Sequence, residues 1–156
     1  MYAIDLIDKV VALTDVPKHS AGAPMPLVIA NDGNVVLIFE SAPTGDELVI
    51  LRFARVRAHY FGSPNDEALK GHPLKPRGLE PYGVFEVIGS SWIRSLERMN
   101  QMCLGQISFD RYRHFIFTFH DNTFECIAED VITVARLPND ADVTENLLHR
   151  AVAYLR

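Results

Sequence analysis

The residues best suited to chemistry lie between positions 59 and 82, in HYFGSPNDEALKGHPLKPRGLEPY. This segment places two histidines and neighbouring carboxylates among glycines and prolines. It predicts a long structured loop, and such loops often carry function. Carboxylate and imidazole together suit zinc, manganese or iron. Four side chains of the loop could therefore converge on a ligand or a metal: His59, Asp66, Glu67 and His72.

The same residues also have a structural explanation. Asn65 and Asp66 can satisfy the free amides at the start of a short helix. Glu67 can be solvated, and His72 can hydrogen-bond to the backbone. The spacing matches no metal signature, HExxH included. We therefore assign no metal ligand and no catalytic residue, and we keep these five residues, Asn65 included, as candidate ligand-binding positions.

A second group of polar side chains lies in RHFIFTFHDNTFECIAEDV, residues 113–131. With Asp121-Asn122 as a two-residue turn, the segment predicts a β-hairpin. The predicted register pairs Phe117 with Cys126 and Thr118 with Glu125. One face then carries six core side chains: Phe115, Phe117, Phe119, Phe124, Cys126 and Ala128.

The opposite face of this hairpin carries His114, His120, Glu125 and Glu129. A nearby carboxylate raises the affinity of an imidazole for its proton, so a His–Glu pair could form a poised base. The alternative is an exposed face with a favourable cross-strand pair that contributes roughly 0.2–1 kcal/mol. His114 and His120 join the candidate ligand-binding positions.

The remaining elements must position these two groups. Residues 3–13 have apolar side chains at helical spacing, which predicts an amphipathic helix. Residues 27–30 and 35–39 flank Asp32-Gly33 and predict a hairpin. Residues 48–58 and 83–88 predict two more strands, and along the first of them Arg52, Arg55 and Arg57 could bind an anion or form a solvated strand face.

Two further helices follow from capping signals. Ser90 or Ser91 can cap a helix that begins near Trp92 and ends at Gly105. Asp142 and Glu145 resemble a capping box at the start of a C-terminal helix. Strands grouped in hairpins with helices mainly at the ends predict an α+β fold. We expect a single globular domain over residues 1–156, with a mostly antiparallel sheet and N-terminal, central and C-terminal helices packed on it.

Composition narrows the classes of function. The net charge is −5, from 15 basic and 20 acidic residues, which argues against nucleic acid and against anionic membrane as partners. No run approaches the roughly 20 apolar residues of a membrane helix, and the N-terminus lacks the basic region of a signal peptide. We expect a cytoplasmic protein in which Cys103 and Cys126 are buried thiols. The alternative that the sequence permits is one disulfide bond between them.

Two blocks carry a resemblance: FGSPNDEALKGHPLKPRGLEPYGVFEVIGSSWI, residues 61–93, and RHFIFTFHDNTFECIAE, residues 113–129. Together they resemble an uncharacterised family of small bacterial proteins. The resemblance covers roughly residues 59 to 129. It implies a bacterial origin and a shared fold, and it implies no activity, cofactor or partner.

Two hypotheses of function follow. The first is a non-catalytic binding or protein-interaction domain, with a protein partner or a homodimer. The second is a small metal-dependent or acid–base enzyme whose site lies between the 59–82 loop and the 114–129 hairpin. A small-ligand pocket between sheet and helices is a third, weaker possibility. The question that separates them is whether the loop reaches the His114 and His120 face of the hairpin.

Overall fold

Nine strands and two helices appear in the computed structural model, which describes residues 3–22, 26–105 and 108–155. The strands are β1 (Lys9–Ala12), β2 (Leu27–Ala30), β3 (Asn34–Glu40), β4 (Glu47–Ala54), β5 (Ala58–Gly62), β6 (Val84–Ile88), β7 (Arg113–Thr118), β8 (Thr123–Ala128) and β9 (Asp130–Pro138). The helices are α1 (Ser91–Leu104) and α2 (Ala141–Ala153). Two single turns of 3-10 helix, Leu69–Gly71 and Lys75–Arg77, lie between β5 and β6.

The strands form two antiparallel sheets. The five-stranded sheet has the order β1-β6-β7-β8-β5, and the four-stranded sheet has the order β2-β3-β4-β9. The chain crosses between the sheets after β4, where Arg55 has a φ of 50°. A left-handed φ is uncommon outside glycine and marks a sharp bend. Residues 48–58, predicted as one strand, therefore form parts of two strands in different sheets.

The two sheets pack face to face through a layer of phenylalanines. Phe53 of β4 lies 5.6, 5.9 and 5.2 Å, between ring centroids, from Phe115, Phe117 and Phe124. All four side chains are fully buried. Because side chains alternate along a strand, this inner layer fixes which residues of β7 and β8 point outward. Those outward residues form the floor of the site described below.

The outer face of each sheet is also covered. Helix α2 packs on the four-stranded sheet, in a cluster that includes Val36, Ile50, Val143 and Ala151. Helix α1 packs on the five-stranded sheet, in a cluster that includes Ile127, Trp92, Ile93 and Leu96. Residues 63–83 cover the rest of that face, where Leu69, Leu74 and Leu79 are buried with Phe85 and Ile116. The predicted loop is thus a packed layer.

The predicted fold class, α+β with N-terminal, central and C-terminal helices on one mostly antiparallel sheet, is wrong. The described chain has two sheets and only two α-helices. In place of the predicted helix at residues 3–13, β1 pairs with β6 at the sheet edge, with Val10 opposite Val87. The apolar spacing of Ile4, Ile7 and Val10 suits a helix, but pairing with β6 gives the backbone of β1 its hydrogen bonds and overrides that preference.

The other two predicted helices are present. In α1 the Ser90 Oγ accepts a hydrogen bond from the Ile93 amide at 3.2 Å, and Gly105 follows the last turn. In α2 the cap is Asp140, whose Oδ1 accepts from the Val143 amide at 2.9 Å. Asp142, the predicted cap, lies within α2, and its side chain is outside the described part of the chain. Neither helix has the length and apolar character that a membrane crossing needs.

The β7–β8 hairpin has the predicted faces in a different register. All six predicted core side chains lie in the phenylalanine-rich core. The turn residues are His120 and Asp121 instead of Asp121 and Asn122, and Phe119 donates its amide to the Asn122 carbonyl. Phe117 therefore pairs with Phe124, and Thr118 pairs with Thr123. When a two-residue turn moves by one position, each residue pairs with a partner two residues away from the predicted one. Every side chain therefore stays on the predicted face of the sheet.

Candidate functional site

Two side chains of the β7–β8 hairpin meet on the covered outer face of the five-stranded sheet. His114 of β7 and Glu125 of β8 alternate with core residues, so they point away from the phenylalanine layer. Nε2 of His114 lies 2.9 Å from Oε2 of Glu125. The two side chains are 0% and 1% exposed. A His–Glu pair is therefore present, but its carboxylate belongs to Glu125 and not to Glu129, which the predicted register places opposite His114. The pair is also buried and not on an exposed sheet face.

The 59–82 loop supplies a second histidine to the same carboxylate. Nε2 of His72 lies 3.2 Å from Oε1 of Glu125, and the His72 side chain is 0% exposed. Nδ1 of His72 accepts a hydrogen bond from the Leu74 amide at 3.1 Å. An accepting Nδ1 carries no proton, so we assign the neutral ring with its proton on Nε2. His72 therefore donates to Glu125.

Ser90 extends this arrangement to the start of α1. Its Oγ lies 2.9 Å from Nδ1 of His114 while it caps the helix, and Ser90 is buried. The ring of Trp92 packs edge-on against His114, with centroids 5.3 Å apart. We call the four side chains Ser90, His114, Glu125 and His72 the His–Glu network. It joins three separate parts of the chain: the loop, the helix start and the hairpin.

One placement of the protons satisfies all the hydrogen bonds described for the network. With Glu125 ionised, His72 and His114 each donate from Nε2, and the Ser90 hydroxyl donates to Nδ1 of His114. Burying a charge is costly unless it is hydrogen-bonded. The two imidazole donors reduce that cost.

Glu125 also forms the floor of an open cleft between α1 and the edge strand β5. The cleft has a volume of about 320 Å³, near the lower end of the range for small-molecule sites. Tyr60 of β5 lies directly opposite Glu125 in the register. The lining residues are His59, Tyr60, Trp92, Ser95, Leu96, Met99 and Glu125, and we call this space the α1 cleft.

The spacing along α1 explains its wall of the cleft. Trp92, Ser95, Leu96 and Met99 recur at three and four residues, so they share one face of the helix. The first half of α1 packs on the sheet, whereas Met99 is 56% exposed. This face of α1 is therefore buried against the sheet at its start and opens into the cleft toward its C-terminal half.

A second, exposed group lies at the hairpin turn. The Asp66 amide donates to the His120 carbonyl at 3.0 Å, and the Asp66 carboxylate accepts from the Tyr82 hydroxyl. Nδ1 of His120 lies 3.0 Å from Oδ1 of Asp121. This group fastens the loop to the turn, and it is separate from the buried network.

In the exposed group, each pKa shift is caused by neighbouring side chains. The hydrogen bond from Tyr82 lowers the pKa of Asp66, and the same bond raises the pKa of the Tyr82 phenol. The hydrogen bond to Asp121, with the charge of Asp66, raises the pKa of His120. These side chains are solvent-exposed, so their interactions are screened.

The other predicted site residues have different places. His59 is exposed and lines the α1 cleft. Asn65 stabilises the turn that follows it in the chain, because its Oδ1 accepts a hydrogen bond from the Ala68 amide at 3.1 Å. Glu67 is exposed. Of the seven candidates, only His72 and His114 meet at one carboxylate, and His59 shares a cleft with that carboxylate.

The predicted arginine row is divided between elements. Arg52 lies on β4, whereas Arg55 and Arg57 line a second cleft of about 370 Å³. There the Glu129 carboxylate is shared by Arg55 and Arg111. Nε of Arg57 donates to the Tyr112 hydroxyl at 2.7 Å. The arginines of this cleft are therefore used largely in internal contacts.

The sequence supplied part of this site. The sequence placed Glu125 on the same hairpin face as His114 and His120, but its contact with His72 depends on how the loop folds back. Ser90 was visible only as a helix cap, and Trp92 only as a residue at the start of that helix. Among the residues that the structure describes, no three His, Cys, Asp or Glu side chains form a group suited to a metal ion.

Comparisons with known proteins found no matching family model, no matching curated protein and no matching solved structure. The resemblance to an uncharacterised bacterial family therefore stays a prediction. The geometry of the α1 cleft and the His–Glu network is what bears on function.

Proposed function

We propose that this protein is a binding domain that holds a small molecule in the α1 cleft. The observation that carries the proposal is the buried Glu125 carboxylate at the floor of an otherwise largely apolar cleft. Ligand sites are usually concave and apolar, with a few fixed polar groups. His72 and His114 hold the carboxylate in one orientation, so its geometry exists before any ligand arrives.

A fluorescence titration tests this proposal directly. Trp92 is the only tryptophan of the chain and it lines the cleft, so its emission reports on the site without a label. We expect small aromatic and aliphatic fragments to change this emission saturably. Native mass spectrometry of gently purified protein should also show whether a ligand is retained.

Two variants of α1 make the test specific. Ser95→Leu fills the cleft, whereas Gln101→Leu changes an exposed residue on the opposite face of the helix. We expect Ser95→Leu to weaken fragment binding about tenfold or more, a loss of about 1.4 kcal/mol, and Gln101→Leu to bind like the parent. Equal binding by the parent and Ser95→Leu, with both variants folded, would place the fragments elsewhere and refute the proposal.

An acid–base enzyme is the second candidate, and the observation in its favour is the His114–Glu125–His72 contact. Ser90 and His72 each line a further surface depression, which gives the network a short route for a proton from solvent. General bases are often carboxylates held in this way. We expect deuterium exchange at the α-carbon of a small ketone, such as cyclopentanone, to be faster with the parent than with Glu125→Gln. Equal exchange rates would exclude this activity.

The proposal also includes a cytoplasmic location, no nucleic-acid partner, and a possible protein partner or homodimer. A cytoplasmic location is consistent with the free Cys103 and Cys126, and the net charge of −5 disfavours nucleic acid as a partner. A protein partner or homodimer would use an open sheet edge, and β5 offers one with Tyr60 and Phe61 partly exposed. Size-exclusion chromatography with light scattering tests this, and a monomer at high concentration excludes the homodimer.

A further inference from the structure

We infer that the cleft lined by Arg55, Arg57 and Arg111 binds a phosphate monoester. We call this space of about 370 Å³ the arginine cleft, and its volume lies near the lower end of the range for small-molecule sites. It has no described lining residue in common with the α1 cleft, so the inference is independent of the proposed function. Three features support it: a fixed positive charge, an arginine held without a carboxylate partner, and a phenol that can donate beside it.

The arginine cleft carries a net positive charge. Its described lining includes the three arginines and two carboxylates, those of Asp32 and Glu129, and none of its described residues is His, Lys or Cys. Arginine stays protonated throughout the pH range of a folded protein. Even with both carboxylates counted as charged, three positive and two negative charges leave +1. This sign does not depend on any group that titrates near neutral pH.

The positive charges of the cleft face solvent more than the negative charge of Glu129 does. Arg55 and Arg111 share the Glu129 carboxylate, one on each oxygen. The Glu129 side chain is 8% exposed, whereas the side chains of Arg55 and Arg111 are 69% and 70% exposed. One carboxylate cannot neutralise two guanidinium groups. A ligand that enters from solvent therefore meets the arginines first.

Arg57 is held in place without a carboxylate. Its Nε donates to the Tyr112 hydroxyl at 2.7 Å, and its guanidinium lies 5.9 and 5.2 Å from the ring centroids of Phe109 and Tyr112. Within the described part of the chain, Arg57 forms no ion pair, and its terminal nitrogens have no acceptor. Because the aromatic rings already fix the guanidinium, a ligand that binds its terminal nitrogens pays little for ordering it.

The Tyr112 hydroxyl adds a donor of a different kind. It accepts from Arg57, so its own proton stays available for another acceptor. Tyr112 is buried except for a small fraction and lines the cleft. The hydroxyl proton and the terminal N–H groups of Arg57 therefore lie beside each other, and an acceptor with several oxygens can take both.

A phosphate monoester fits this combination better than other ligands do. It presents three terminal oxygens and a charge of about −1.5 to −2 at pH 7. A carboxylate has two oxygens and one negative charge, so it gains less from the guanidinium groups. A neutral ligand gains no charge–charge attraction, and a cation is repelled by the net charge.

Three probes of similar size separate these classes: phenyl phosphate, benzoate and benzyl alcohol. Their affinities are measured by isothermal titration calorimetry. We expect phenyl phosphate to bind about tenfold tighter than benzoate, and benzyl alcohol to bind most weakly. Phenyl phosphate that binds no tighter than benzoate would overturn the phosphate assignment, and the absence of binding by any probe would overturn the site.

Variants with the same change of charge locate the binding. Arg57→Gln removes the held guanidinium, whereas Arg136→Gln removes an exposed arginine that pairs with Glu47 outside the cleft. We expect Arg57→Gln to weaken phenyl phosphate about tenfold or more, and Arg136→Gln to bind like the parent. An equal loss in both variants would mean that charge alone attracts the probe and would overturn the site.

Two further variants complete the test. Arg111→Gln changes a mostly exposed side chain and should weaken phenyl phosphate about threefold, which keeps the site testable if Arg57→Gln does not fold. Unchanged affinity in the folded cleft variants would overturn the inference. Ser95→Leu fills the α1 cleft and should bind phenyl phosphate like the parent. A loss in Ser95→Leu would place the probe in the α1 cleft, and would overturn this inference while the proposed function stands.

Discussion

Replacement of Glu125 by alanine is expected to destabilise the fold far more than replacement by glutamine. In the parent, Glu125 accepts from two imidazole N–H groups, at 3.2 Å from His72 and 2.9 Å from His114. Both rings are fully buried. Alanine removes the acceptor of both, and His72 cannot change tautomer because its Nδ1 is held by the Leu74 amide.

The magnitude follows from the cost of a buried polar group without a partner. Each such group costs about 1–3 kcal/mol, so Glu125→Ala should lose about 2–6 kcal/mol. Water that enters from the α1 cleft sets the lower end of this range. The whole stability of a domain is only about 5–15 kcal/mol, so the loss is large. In Glu125→Gln, Oε1 can accept from His72 and the NH₂ group can donate to Nε2 of His114, which then donates from Nδ1 to Ser90. The variant keeps these three bonds and should lose about 1 kcal/mol or less.

Urea unfolding followed by Trp92 emission measures both losses. Trp92 packs against His114, so its signal reports on the region that changes. Glu67→Gln, at an exposed glutamate of the loop, is the control and should stay within about 0.5 kcal/mol of the parent. If Glu125→Gln loses as much as Glu125→Ala, the proton assignment of the network is wrong. If neither variant loses more than the control, the network does not hold the fold.

Three further predictions concern other parts of the chain. Tyr82→Phe should raise the pKa of Asp66 toward the ordinary value of an aspartate, measured by NMR titration, because the Tyr82 hydrogen bond lowers it; an unchanged pKa would contradict that cause. A lowered carboxyl pKa stabilises the fold above the unfolded-state pKa, and this stabilisation is lost as the pH falls through the folded-state pKa. The free energy of unfolding of Tyr82→Phe should therefore fall less than that of the parent on acidification through this range. Asp140→Ala should cost about 1 kcal/mol by loss of the α2 cap, seen in urea unfolding, and no loss would mean that another group caps the helix. A thiol reagent should modify the exposed Cys103 but not Cys126, whose pKa is raised by burial; two rapid modifications in native protein would contradict the burial of Cys126.

The hairpin shows what the sequence could predict. The recurrence of phenylalanine at every second position, Phe115, Phe117 and Phe119, identified the core face, because the side-chain period of a strand is two. The register was wrong, since His120-Asp121 and Asp121-Asn122 are both acceptable turn pairs and both preserve that period. Sequence alone could not choose between them, and the choice decides which residue lies opposite Glu125.

The site shows where local patterns stop. Asp8 lay within a predicted helix, yet its carboxylate accepts from the Ser91 amide at 2.6 Å and supports the start of α1. His72 contacts Glu125 across 53 positions of sequence, and no local pattern encodes such a contact. What covers the outer face of the five-stranded sheet, and hence whether His114 is exposed or buried, is decided by tertiary packing.

The span of the His–Glu network has a kinetic consequence. His114 and Glu125 belong to one hairpin and can meet early, whereas His72 and Ser90 arrive only when the loop and α1 dock on a formed sheet. Contacts between distant parts of the chain form late, because closing long loops costs entropy first. Substitutions at His72 should therefore accelerate unfolding and leave the refolding rate nearly unchanged. The contact between His72 and the carboxylate at the floor of the α1 cleft then slows unfolding of the chain and has little influence on the rate of folding.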